Sequence, residues 1–146
     1  MYKRHRCQLT CCILIISVVA FILNLDFKEI ADATLTVSSI TMGVYIAAVS
    51  ALLGSKYAKE LSEKIDTEYQ TKTLLGVLAD CFRCAGGWCI TTIILSCIFH
   101  ISFVSESKVY FIQYASAFSF GAFAGNLLLF WLILIFLINS LGKAVQ

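Results

Sequence analysis

Cys81 and Cys84 form a CxxC pair, and Cys7 and Cys11 stand four residues apart near the N-terminus. Four thiolates brought together are the donor set of a structural zinc site, and a lone CxxC is also the spacing of a dithiol redox pair. A single CxxC with no second one is read more simply as free thiols packed near the end of an apolar segment, and no metal centre is expected. Asp80 and Arg83, three residues apart, can pair on one helix face. Histidine is the usual side chain of pH sensors, so His100 can serve as one, or simply as a hydrogen-bonding residue. Gln113, Asn126 and Asn139 are amides in a long apolar run, where they bond between helices or line a pore. Gly121 and Gly125 make a GxxxG pattern in the same run, a helix-packing seam either within one subunit or between subunits.

Other chemistry is missing from the sequence. There is no HExxH, no phosphate-binding loop and no nucleophile–base pair, so no enzyme activity and no cofactor are expected. A proton-coupled exporter of this size relies on a membrane-embedded carboxylate, and no Asp or Glu falls inside the apolar runs.

Those runs are the elements that must position everything else. Residues 7–25, 33–55, 84–105 and 109–142 carry no Asp, Glu, Lys or Arg. A helix needs about 20 mostly apolar residues to cross a hydrocarbon core of roughly 30 Å. With 60% apolar and 14% charged residues among 146, nearly the whole chain is used in crossing. The expected fold is all-α: an integral membrane four-helix bundle in one domain, with spans near 7–25, 33–55, 77–105 and 109–141. The first run has a basic start in Lys3, Arg4 and Arg6, but no small-x-small cleavage site follows it, so it is expected to stay as span one.

Charge placement orients the spans. With both termini and residues 56–80 in the cytoplasm, only Lys28 and Lys108 of the 11 Lys/Arg lie outside. The positive-inside rule selects that arrangement and a multi-pass inner-membrane location. The thiols at positions 7, 11, 12, 81 and 84 then lie near the reducing cytoplasm, and neither outer loop holds a cysteine.

Span two carries Gly43, Ala47, Ala48, Ser50, Ala51 and Gly54, small residues that suit close helix packing inside the bundle or in a homo-oligomer. Beyond it, residues 56–80 read as helix. Leu53, Tyr57, Leu61, Ile65 and Tyr69 recur every four residues, and Lys56/Glu60, Lys59/Glu63, Glu60/Lys64 and Glu68/Lys72 are i,i+4 pairs of opposite charge. Such pairs contribute ~0.2–0.5 kcal/mol each. No proline interrupts the segment, so span two is expected to run on as one long helix and to turn near residues 71–76. Val109 onward is longer than a bilayer requires, with Tyr110, Phe111 and Tyr114 suited to an aromatic belt.

Ala33-Thr34-Leu35-Thr36, Thr41-Met42, Ala47-Ala48 and Leu53-Gly54-Ser55-Lys56, leading into a charged helix, resemble RexB, the membrane component of a phage-exclusion system. Its length and four-span plan agree too, whereas the N-terminal run and span four share only hydrophobicity with it. The same plan resembles the small membrane subunits of bacterial anti-phage loci, including the KwaA family of the Kiwa system. The KwaA resemblance implies a membrane sensor of infection that signals to a cytoplasmic, nucleic-acid-binding, KwaB-like effector, with no direct nucleic-acid binding of its own. The RexB resemblance implies instead an ion channel that depolarises the membrane. Neither implies catalytic or ligand residues. On the sequence, the partner-binding face is expected at Tyr57, Lys59, Glu60, Leu61, Glu63, Lys64 and Ile65, an apolar stripe with charged flanks suited to helix-in-groove docking. Helix packing is expected at Gly43, Ala47, Gly54, Gly121 and Gly125.

Overall fold

A computed structural model describes residues 3–65, 72–100 and 109–144. The chain forms α1 (Lys3–Ile22), a 3₁₀ turn (Phe27–Ile30), α2 (Ala31–Leu53), α3 (Lys56–Glu63), α4 (Leu74–His100) and α5 (Val109–Ala144). Four of these, α1, α2, α4 and α5, are long and apolar enough to cross a membrane. At 1.5 Å per residue, the 36 residues of α5 extend for about 54 Å, well beyond a hydrocarbon core. Among the described residues there is no strand, only an isolated bridge between Ile65 and Thr73.

The helix order in space follows from how each terminus is closed. α1 is closed by Asn24, two residues past its end, which takes the left-handed conformation (φ 50°) that usually falls to glycine. Leu25 N–H then bonds back to the Ala20 carbonyl (3.0 Å) and Asn24 N–H to that of Phe21 (3.2 Å), so the last carbonyls of the helix are satisfied in a Schellman arrangement. Asp26 opens the next turn by accepting from Lys28 N–H (2.9 Å). This short connection carries the chain across the ends of α4 and α5, where Phe27 is fully buried. As a result α1 packs chiefly on α5 and α2 chiefly on α4, while α4 and α5 pack on each other.

Span two does not continue as one long helix. Gly54 caps α2 and Ser55 starts α3: the Ser55 hydroxyl donates to the Leu52 carbonyl (2.8 Å) and accepts from Ala58 N–H (3.2 Å). One serine thus closes one helix and opens the next, a competing local bond that the charge pattern did not reveal. Nor is the 56–80 region one helix. α3 stops at Glu63, Lys64 is extended, and Leu74 N–H bonds to the Lys64 carbonyl (3.0 Å) as α4 begins. Tyr69 and Glu68 lie outside the described residues, as does residue 71 of the turn expected at 71–76; residues 72 and 73 precede α4, and Leu74–Gly76 are already its first turn.

In a membrane the buried face of a helix need not be its most apolar face, because lipid offers no hydrophobic drive to bury it. The bundle interior follows that rule. Buried positions run 34, 38, 41, 45 on α2, then 85, 89, 92, 96, 99 on α4, and 119, 122, 126, 129, 133 on α5. Steps of alternately three and four residues mark a seam of left-handed, coiled-coil-like packing. Most of these residues are polar or small: Thr34, Ser38, Thr41, Cys89, Thr92, Ser96, Ser119 and Asn126.

Candidate functional site

Near the middle of the spans the seam becomes a hydrogen-bonded polar layer. Asn126 Nδ2 donates to Ser38 Oγ (3.3 Å), and the Cys89 thiol donates to the Ser38 carbonyl (3.0 Å). Thr92 Oγ1 donates to the Trp88 carbonyl one turn back (2.8 Å) and approaches the Ala122 carbonyl of α5 (3.5 Å). α2, α4 and α5 are joined here by one serine, one cysteine, one threonine and one asparagine. Not every polar atom is satisfied. Asn126 Oδ1, Thr34 Oγ1 and the Tyr45 hydroxyl are buried without a hydrogen-bond partner in the protein. A buried unpaired polar group costs about 1–3 kcal/mol, so such groups mark places where stability is not the only demand on the residues.

Aromatic contacts flank this layer. Towards the α1–α2 connection, Phe27 meets Phe99 and Phe120 edge-on, both at 5.3 Å between ring centres. Towards the basic end, Tyr45 packs against Phe82 (6.3 Å) and Phe130 (6.1 Å). Ser116 fixes the first of these: its hydroxyl accepts from Phe27 N–H (2.8 Å) and donates to the Leu25 carbonyl (2.8 Å), pinning the connection to α5.

The residues expected to pack helices separate into two groups. Gly121 and Gly125 lie against α1 of the same chain. A methyl group on Gly121 would fall 2.8 Å from the Ile13 carbonyl oxygen and against the Ser17 hydroxyl, and one on Gly125 would fall 2.9 Å from the Ile13 side chain. The GxxxG seam is therefore an intrachain one. Gly43 has open space around it, Ala47 is exposed, and Gly54 meets only a backbone oxygen of its own helix at 3.9 Å. The face of α2 that enters the bundle carries Thr34, Ser38, Thr41 and Tyr45 instead. Of these, Ser38 bonds across the seam and Thr41 bonds back to the Val37 carbonyl of its own helix, whereas Gly and Ala leave no side-chain polar group to satisfy when they face lipid.

In the expected partner-binding segment, Leu61 and Ala58 are buried and hold α3 against the start of α4. Lys59, Glu60, Glu63, Lys64 and Ile65 are exposed. The Tyr57 side chain lies outside the described residues. The apolar stripe is thus divided: Leu61 packs inward, while Leu53 and Ile65 are 71% and 65% exposed. Asp80 pairs with Lys72 (2.5 Å) rather than with Arg83, because the segment leading into α4 folds back across its first turns.

Gln113 Nε2 donates to the Phe21 carbonyl (3.4 Å), bonding between helices as one of its two readings allowed. His100 is exposed at the end of α4, and the Asn139 side chain lies outside the described residues. Among the described residues the cysteines are free, and no three of His, Cys, Asp and Glu come together as metal ligands. Sequence reasoning missed Ser38, Cys89, Thr92 and Ser116, and the role of Phe27. The spacing of Thr34, Ser38, Thr41 and Tyr45 was a usable signal, since polar residues at coiled-coil steps within an apolar span point inward.

No family model, curated protein or solved structure matches this chain.

Proposed function

We propose that this multi-pass membrane protein is the membrane component of a bacterial anti-phage defence system. It senses infection at the inner membrane and signals through α3 to a cytoplasmic, nucleic-acid-binding partner resembling KwaB. The observation that carries the reading is the seating of α3. Ala58 and Leu61 fasten it to α4, which also supplies Cys89 and Thr92 to the polar layer, and Lys59, Glu60, Glu63 and Lys64 are left exposed. A shift of α4 against α2 and α5 therefore carries α3 and its charged face with it. The open face of α2 at Gly43 and Ala47 supports a homo-oligomer, and the basic residues of both termini and of residues 56–80 support their placement in the cytoplasm. The test is reversal of the exposed charges, Lys59→Glu, Glu60→Lys, Glu63→Lys and Lys64→Glu, in the full chain. Loss of the co-purifying partner and of phage protection, with the membrane bundle still folded, is the expected result. Retention of both would sink the docking role.

A second reading, a RexB-like channel that depolarises the membrane, is favoured by the unpartnered Asn126 Oδ1, Thr34 Oγ1 and Tyr45 hydroxyl between the aromatic contacts. In that reading separation of Phe27 from Phe99 and Phe120 opens a polar path. Ion flux in proteoliposomes tells the two apart: silence from inserted, oligomeric protein counts against the pore.

A further inference from the structure

The glycine seam draws α1 onto α5, and α4 leans on α5 from another side. The two helices leave between them a groove of about 310 Å³ at the basic end of the bundle. Leu9, Thr10, Ile13 and Leu14 of α1 form one wall, and Cys84 and Trp88 of α4 the other. Such a volume sits at the lower end of ligand clefts, which run from about 300 to 1,000 Å³. Its one charged lining residue is Arg6.

Arg6 is the cation at the edge of this groove. It lies in the opening turn of a span, His5–Ile22, where a cation needs a counter-charge or must reach for the interface. Among the described residues no carboxylate pairs with it, and the ion pair at this end of the bundle joins Lys72 to Asp80 instead. At the depth of a span's first turn the bilayer itself supplies an anion, the lipid phosphate. Basic pockets between membrane helices commonly recognise anionic headgroups. The rest of the lining is mainly apolar and suits a hydrocarbon chain.

We propose that this groove holds one anionic phospholipid, with its phosphate on the Arg6 guanidinium and an acyl chain lying along Leu9, Ile13 and Leu14 against Trp88. The site needs neither the defence role nor a partner protein, and it stands or falls independently of them. Arginine suits the headgroup because its planar fork meets two phosphate oxygens at once.

Trp88 reports occupancy directly. In a Trp131→Phe background, which removes the lipid-exposed tryptophan of α5, the full chain is reconstituted in neutral phosphatidylcholine vesicles. These are doped at equal mole fraction with brominated-chain phosphatidylglycerol or brominated-chain phosphatidylcholine. Trp88 should be quenched at an apparent affinity about fivefold higher for the anionic lipid, the factor expected of one basic residue at a membrane surface. Arg6→Gln should abolish that preference while leaving the helical spectrum intact. Arg83→Gln, an equal loss of charge at an exposed residue outside the groove lining, should preserve it. Equal quenching by the two lipids would mean annular contact or an occupant other than lipid, and would overturn the proposal. So would an equal effect of the two arginine variants, which would assign the preference to net charge.

Discussion

α1 and α2 are both outer helices resting on the α4–α5 pair, and they are attached by opposite means. α1 approaches α5 backbone to backbone, with Ile13 lying over Gly121 and Gly125. α2 packs on α4 and is held through Ser38, which accepts from Asn126 and whose carbonyl accepts from Cys89. Gly121 and Gly125 of α5 are filled by a neighbour, and Gly43 of α2 faces open space. Without hydrophobic drive, membrane helices associate by close van der Waals packing or by interhelical hydrogen bonds. This chain uses one device on each side of its core. Close packing depends on an absent side chain and is destroyed by adding one, whereas a hydrogen-bonded seam tolerates volume changes and weakens gradually.

The largest effect should therefore come from Gly121→Leu. The new side chain cannot coexist with the Ile13 carbonyl and Ser17, so α1 must leave its seat. The loss should exceed the ~1–3 kcal/mol of ordinary core overpacking. Thermal unfolding in detergent would show it, together with a change in fluorescence from Trp88, which lines the groove beside α1. A Gly121→Leu protein that melts like the parent would mean that α1 is not seated by this seam.

Next comes Ser116→Ala. It leaves the buried Phe27 N–H without its partner and frees the Leu25 carbonyl. About 1–3 kcal/mol should be lost, as for any buried donor left unpaired. Hydrogen exchange at the Phe27 amide would rise, and unchanged protection there would show that the serine does not hold the connection. The polar seam itself should give less. A double-mutant cycle between Ser38→Ala and Asn126→Leu should yield a coupling near ~0.6 kcal/mol, the average for polar pairs in a membrane helix bundle. A coupling as large as the Gly121→Leu loss would erase the distinction between the two attachments.

The four membrane helices were legible in the sequence because uncharged runs of that length have few alternatives. Gly121 and Gly125 were legible as a seam, but not the helix that fills it, since GxxxG specifies closeness and not a partner. The small residues of span two, Gly43 and Ala47 among them, were read as packing inside the bundle or between copies; within one chain the buried face is the opposite one, at Ser38 and Tyr45. The difference is physical: small residues permit contact, while polar ones require it. The break at Ser55 was hidden because a hydroxyl that caps two helices at once leaves no trace in charge pairing or apolar period. Ser116 and Phe27 lie 89 positions apart, and no local pattern links them.

Gly43→Leu should have the smallest effect on the folded chain and is the sharpest test of the comparison. A Cβ at Gly43 meets nothing within 4 Å, so the substitution neither overpacks nor removes a bond. Relative to Gly it also improves helix propensity by up to about 1 kcal/mol. Thermal unfolding of the isolated chain should shift by no more than roughly that amount, towards higher stability. If instead the variant melts like Gly121→Leu, the face is packed within one chain and the two outer helices are attached alike. The same variant should act strongly on association if α2 is the face where copies meet. A leucine in place of a glycine holds the two backbones apart, so cross-linked oligomers in vesicles should disappear while the monomer stays folded. Persistence of those oligomers would move the contact between copies away from α2, leaving its small residues facing lipid simply because they leave no polar group unpaired there.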